Sequence, residues 1–410
     1  MQRSEPESLY ACVRLGAALA LMTIGGVGMY AMAVALAPVQ AEFAADRGGA
    51  SLPYTLTMIG FGIGGILMGR LSDRFGVFVP VVIGGACLGT GFVLAGLSPG
   101  LLPFTLVHGL FIGLLGCSAT FAPLVADTAL WFTRHRGIAV AICASGNYLA
   151  GTVWPPILQH FFDTAGWRAT YIGVGIFCAV SIVGLGFVMR RRPPALEAAS
   201  FQARTFIEKP LGLSPQTLMV LLSVAGVACC VAMSMPQVHI VAYCGDLGYG
   251  AARGAEMLSL MLAFGIVSRL ASGWISDHIG GLRTLLLGSA LQGVALLLFL
   301  PFDGLVSLYV VSALFGLFQG GIVPAYALIV REHFNPREAG TRTGIVLMAT
   351  LFGMAFGGWI SGVIFDWTGS YRAAFVNGIA FNLLNLTIAV LLLRRSFFST
   401  APTAAPASRG

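Results

Sequence analysis

Twelve apolar runs of membrane-crossing length, separated mostly by short polar connections, leave this chain few folds to adopt. An apolar helix needs about 20 residues to cross the hydrocarbon core of a bilayer. Runs of that kind occupy 12–39, 51–70, 78–97, 102–130, 137–161, 168–189, 215–242, 252–276, 282–301, 304–330, 341–365 and 372–394. Only 10% of the 410 residues are charged and 57% are hydrophobic, whereas soluble domains carry roughly 25% charged residues. So few charges cannot cover a water-facing surface, so most of the exterior must face lipid. The 54 glycines fit this picture, because small residues let membrane helices approach closely.

The first run begins near Cys12 with no small-residue cleavage site after it, and reads as a retained helix instead of a signal peptide. The longest connection, 190–214, holds Arg190, Arg191, Arg192, Arg204 and Lys209 and reads as a linker between a six-helix bundle at 1–189 and another at 215–395. The tail, 396–410, is rich in Ala, Thr, Pro and Ser and is expected to be disordered. Eighteen Lys and Arg fall on the side shared with the chain ends and four on the other. Cytoplasmic loops carry that excess, so both termini are expected in the cytoplasm, at the cell inner membrane. The same placement accounts for the net charge of +7 without a nucleic-acid partner. The eight cysteines lack metal-type spacing and read as small packing residues.

The two halves repeat one another. Gly69-Arg-Leu-Ser-Asp73-Arg-Phe-Gly76 follows the second run, and Gly273-Trp-Ile-Ser-Asp277-His-Ile-Gly280 follows the eighth. A second pair, Phe162-Asp163-Thr-Ala-Gly166-Trp-Arg168 and Phe365-Asp366-Trp-Thr-Gly369-Ser-Tyr-Arg372, recurs in the same order with one residue inserted. Duplication with a site between the copies is how many secondary carriers are built. The expected fold is therefore an all-α membrane protein of twelve transmembrane helices in two pseudo-symmetric six-helix bundles.

At these motifs the chain resembles the major facilitator superfamily, over roughly 12–395. The resemblance implies a gating role for Gly69, Asp73, Arg74 and Gly76, and for their counterparts Gly273, Asp277 and Gly280. It also implies that Asp73 latches the halves on the cytoplasmic side, against the start of helix 11 near Thr341 to Gly344, where a helix dipole favours a negative charge. Gly69 and Gly76 would let the loop turn tightly. Val77 and Phe78 stand where the family usually has a basic pair.

Arg269 carries the most information about function. It lies well inside the eighth run, where an Arg costs roughly 2.5–3.5 kcal/mol on insertion scales and normally faces a protein interior or a water cavity. No acidic residue occupies the central part of any run. An anionic substrate would supply the missing counter-ion, and a guanidinium can give a carboxylate two parallel hydrogen bonds. The chain is further similar to the monocarboxylate transporter and oxalate–formate antiporter branch, which places an Arg in helix 8 four residues before a Gly, as Arg269 precedes Gly273. The stretch from Arg136 to Asn147 also resembles bacterial members of that branch. Animal members pair the Arg with an Asp one turn earlier and place a Lys in helix 1. Here Gly265 occupies that position, and the only Lys is Lys209.

Other mid-depth polar residues are candidates to orient a substrate: Tyr30, Asn147, Tyr148, Gln319 and Tyr326, the last two seven apart and so on one helix face. His108 and His239 are candidates for proton coupling, having the side chain best suited to exchange near neutrality. Asn382 and Asn385, on the last run, read as packing residues. No phosphate loop, zinc motif or nucleophile elbow marks an enzyme. The expectation is a monomeric secondary active carrier of a small organic monocarboxylate, by symport with a proton or by exchange with a counter-anion, needing no cofactor. Proton-driven drug efflux and a non-transporting receptor on the same fold are the alternatives.

Overall fold

The computed structural model describes residues 7–132, 134–191 and 210–399. Most of the expected linker, Lys209 included, and residues 400–410 of the expected tail lie outside the described residues, while 396–399, expected to be disordered, continue the last helix. Among them the chain is helical and has no strand.

Twelve helices are long and apolar enough to cross a membrane. In the first half they are α1 (Leu9–Glu42), α2 (Arg47–Phe75), α3 (Phe78–Gly96), α4 (Leu101–Trp131), α5 (Gly137–Ala165) and α6 (Trp167–Arg190). In the second they are α7 (Pro215–Asp246), α8 (Ala251–Ile279), α9 (Gly281–Leu298), α10 (Leu305–His333), α11 (Gly340–Thr368) and α12 (Tyr371–Ser396). Each corresponds to one expected run. The face where α1 starts and α12 ends is called here the terminal face, and the other the opposite face.

The repeated motifs mark helix ends. Gly76 closes α2 at φ +84° and Gly280 closes α8 at φ +82°, a left-handed conformation that glycine adopts without a Cβ penalty. Asp73 and Arg74, expected in a loop, are thus in the last turn of α2, and Asp277 is in the last turn of α8. Gly69 and Gly273 were expected to shape or gate the loops; both sit within helices beside open space, so neither forms a turn.

One basic residue near the terminal face is buried. Arg14 in α1 is 2% exposed. Its Nε and Nη2 donate to the two carboxylate oxygens of Asp127 in α4, at 2.8 and 2.9 Å, and it lies over the Trp131 ring. A paired fork of this kind offsets the cost of burying both charges.

Three helices lose regular geometry at mid-depth: α1 at Gly26, α4 between His108 and Phe121, and α10 at Gly320 and Gly321. Interrupted helices of this sort surround central sites in carriers. The halves meet along α2 with α11, α5 with α8, and α1 with α7. Behind these seams Asn385 donates to Ser289 Oγ at 2.7 Å and Asn382 donates to the Ser289 carbonyl, tying α12 to α9.

Candidate functional site

A cavity of about 340 Å³ lies between the halves, lined from α1, α2, α4, α5, α7, α8, α10 and α11. Four sequence candidates line it together: Tyr30, Asn147, Tyr148 and Arg269. They come from α1, α5 and α8, so both halves contribute.

Arg269 is half-buried, and its guanidinium is held by weak contacts. Nη1 donates to the Ala144 carbonyl across the α5–α8 seam at a long 3.4 Å, and Nε is buried with no partner. The guanidinium carbon lies 4.4 Å from the centre of the Tyr148 ring. Among the described residues no carboxylate pairs with Arg269. Gly265, one turn before it, makes this stacking possible: a methyl group there would overlap the edge of the Tyr148 ring. The aromatic face takes the place that a carboxylate would fill, and a ring attracts a cation without neutralising it.

Gln319 and Tyr326 share a helix but serve different places. Gln319 is fully buried behind Gln237, whose Nε2 donates to Gln319 Oε1 at 3.0 Å. Gln237 lines the cavity, and sequence reading missed it. Its neighbours Met235, Pro236 and Val238 gave no sign of which face of α7 turns inward. Tyr326 points away from the cavity and donates to Asn385 Oδ1 at 2.8 Å, inside the second half. Both lie off the cavity-lining face of α10, which is presented by Val323, Pro324 and Ala327.

Neither histidine lines the cavity. His108 is buried in the first half, with Nδ1 3.3 Å from Thr57 Oγ1 and its ring against Phe104 and Tyr171. His239 sits between Gly358, whose carbonyl is 2.8 Å from Nε2, and the Tyr371 hydroxyl, 3.2 Å from Nδ1. One tautomer satisfies both contacts: Nε2–H donates to Gly358 while Nδ1 accepts from Tyr371.

His239 belongs to the closure of the opposite face. Asp366, at the end of α11, accepts the backbone N–H groups of Arg47 and Gly48 at 2.8 and 2.7 Å, while Asp46 caps Gly49 at 2.6 Å. Two carboxylates thus cover the first free N–H groups of α2. The Arg47 side chain crosses the other way, donating to Tyr371 at 2.9 Å and pairing with Asp246 at 3.2 Å. Thr55 adds a bond to the Ala355 carbonyl, and Ser259 one to the Thr152 carbonyl. Asp163, the counterpart of Asp366 by repetition, stays on its own helix and accepts from Gln159.

The terminal face is parted. Asp73, expected against the start of helix 11, is exposed and makes no bond to it among the described residues, and Gly344 has open space beside it. Asp277 is likewise exposed, and Arg74 lies over the neighbouring Phe75 ring. Among the described residues the expected latch is unmade in this conformation.

Twelve membrane-length helices in two repeated sets around a cavity with contributions from both define a polytopic membrane transporter. The profile of the Major Facilitator Superfamily matches residues 17–309 and 280–408, and the chain belongs to that superfamily. The chain is 27% identical over 342 residues to the Bos taurus protein named monocarboxylate transporter 13, covering 82% of this chain and 78% of that one. It is 26% identical over 347 residues to an uncharacterized MFS-type transporter, YcxA of Bacillus subtilis, covering 82% and 83%. Among solved structures, an inward-facing, occupied bacterial homolog of the human lysosomal transporter Spinster superposes with a TM-score of 0.74 at 15% identity, over 97% of this chain and 100% of that chain. At that identity the likeness shows the fold alone.

Proposed function

We propose that the protein is a secondary active carrier of a small organic anion, most readily a monocarboxylate, working by alternating access. The observation that carries this reading is Arg269, a cation in the cavity between the halves with a buried, unpartnered Nε and no carboxylate beside it among the described residues. A substrate carboxylate would complete its hydrogen bonds, and the names of the monocarboxylate transporter relatives point the same way. Binding would neutralise the cation and let the halves rock. The bonds at Asp366 and Arg47 would release as the ends of α2 and α8 close on the terminal face, which the basic excess assigns to the cytoplasm.

No Asp, Glu or His lines the cavity among the described residues. The coupling proton would therefore enter with the substrate, or a second anion would be exchanged for it. Efflux is a second reading, favoured by the name of one relative, an agnestins efflux protein from Paecilomyces divaricatus at 22% identity.

Uptake of a panel of radiolabelled acids into proteoliposomes tests the proposal, comparing the native protein with Arg269→Ala. Uptake of a carboxylate that the substitution abolishes supports it. Equal transport by Arg269→Ala, or no movement of any acid, overturns it.

A further inference from the structure

The polar groups of the cavity lie at two depths. Measured along their helices at ~1.5 Å per residue, Arg269 in α8 and Asn147 in α5 are both ~27 Å from the opposite-face ends. On the same measure, Gln237 in α7 is ~13 Å and Tyr54 in α2 is ~10 Å from those ends, with Tyr30 in α1 somewhat higher. The interval between the levels is mainly apolar, walled by Met29, Met58, Phe61, Met233, Leu262 and Met354 with Tyr30 among them.

The deep level is polar but holds no cation. Gln237 is fixed by its bond to Gln319 and keeps the second half of its amide toward the cavity. The hydroxyls of Tyr30 and Tyr54 have no hydrogen-bond partner among the described residues, and both residues line the cavity. Arg47, beyond this floor and outside the cavity lining, commits both terminal nitrogens to Tyr371 and Asp246, its Nε alone lacking a partner among the described residues. The deep level can therefore satisfy a neutral hydrogen-bonding group, whereas a second carboxylate there would be desolvated with no cation to offset it.

Resting on the carboxylate reading above, we infer that the substrate is an elongated monoanion with three parts. Its single carboxylate meets Arg269, an aromatic or long aliphatic body lies along the methionine-lined wall beside Tyr30, and a neutral donor or acceptor at the far end meets Gln237 and Tyr54. Methionine suits the middle section because its unbranched thioether adapts to flat or branched bodies. Short acids would leave the deep polar groups without partners, and dicarboxylates would place a charge there.

Four probes test this in proteoliposomes: para-hydroxyphenylpropionate, phenylpropionate, suberate and lactate. The native carrier should show a KM for the hydroxylated aryl acid roughly tenfold below that for phenylpropionate, with suberate and lactate poorer still. Gln237→Leu should bring the ratio between the two aryl acids close to one, and Tyr54→Phe should reduce it, serving also as a second variant if Gln237→Leu does not assemble. A native preference for lactate or suberate overturns the inference. So do aryl acids differing less than twofold, or a ratio that both substitutions leave intact. Arg269→Ala, assayed beside them, separates the two levels of argument. Acids carried regardless of Arg269, or no acid carried at all, bring down the carboxylate reading itself. Uptake that needs Arg269 but ignores the far hydroxyl brings down only the inference drawn from it.

Discussion

The guanidinium of Arg269 stacks on the ring of Tyr148, 4.4 Å from carbon to ring centre, in a space kept clear by Gly265. The cation is therefore positioned by an aromatic face and one long bond to the Ala144 carbonyl, and keeps its charge for a ligand. Tyr148→Phe preserves the face and should retain affinity for a carboxylate within about threefold. Tyr148→Leu removes it and should weaken binding by roughly five- to thirtyfold, the range of a partly desolvated cation–π contact. Gly265→Ala should weaken binding too, by displacing the ring. Substrate titration of the purified variants measures all three, and equal affinity in Tyr148→Leu would refute the stacking role.

Closure of the opposite face depends on Asp366 capping α2. Replacing it with Asn leaves one acceptor and removes the charge that the helix start favours. The population with this face open should rise, on the order of tenfold for the loss of charge-assisted bonds. Spin labels on the exposed Ala44 and Trp367 would report it as a second, longer distance. An unchanged distance distribution would show that Arg47 and the seams close this face without Asp366.

Asp73 makes the complementary prediction. Among the described residues it makes no bond to helix 11 in this conformation, so Asp73→Asn should leave substrate affinity in this conformation unchanged. If Asp73 latches the terminal face when that face closes, the same substitution should slow transport severalfold. Transport at the native rate would remove Asp73 from the gate.

His239 bonds through both ring nitrogens, to Gly358 and Tyr371. A glutamine can donate and accept at similar positions, so His239→Gln should keep both transport and its pH profile. A flattened profile with intact transport would instead make His239 the coupling group.

Stability should be most sensitive at Arg14 and Asp127. Removing the carboxylate with Asp127→Ala leaves a buried guanidinium unpaired, a loss of about 3–5 kcal/mol for pairs of this kind. Thermal unfolding in detergent should fall clearly below that of the native protein. Asp127→Asn, which keeps an acceptor, should fall less.

Most of the fold was legible because lipid imposes a crude rule: a helix that crosses must be apolar for about 20 residues. The site was legible only where polarity broke that rule, at Arg269, Asn147, Tyr148 and Tyr30. Gln319 and Tyr326 broke it as well, yet one bonds Gln237 behind the cavity wall and the other bonds Asn385 of α12, while Val323, Pro324 and Ala327 of the same helix line the cavity. Gln237 was missed because a single amide among apolar neighbours gives no facing. The pairing of Arg14 with Asp127 was not legible, because 113 residues separate them and only tertiary packing brings them together.

Asp163 and Asp366 occupy the same place in the two copies of one motif, yet one bonds along its own helix and the other across to its neighbour half. Duplication made the halves alike, and this pair makes them unequal. A carrier with interchangeable halves would have no intrinsic bias between its two orientations. Here Asp366 joins Arg47, Thr55 and Ser259 in holding the opposite face shut, while Asp163 takes no part in any closure among the described residues. In a carrier that alternates, such an inequality would give its two orientations different stabilities.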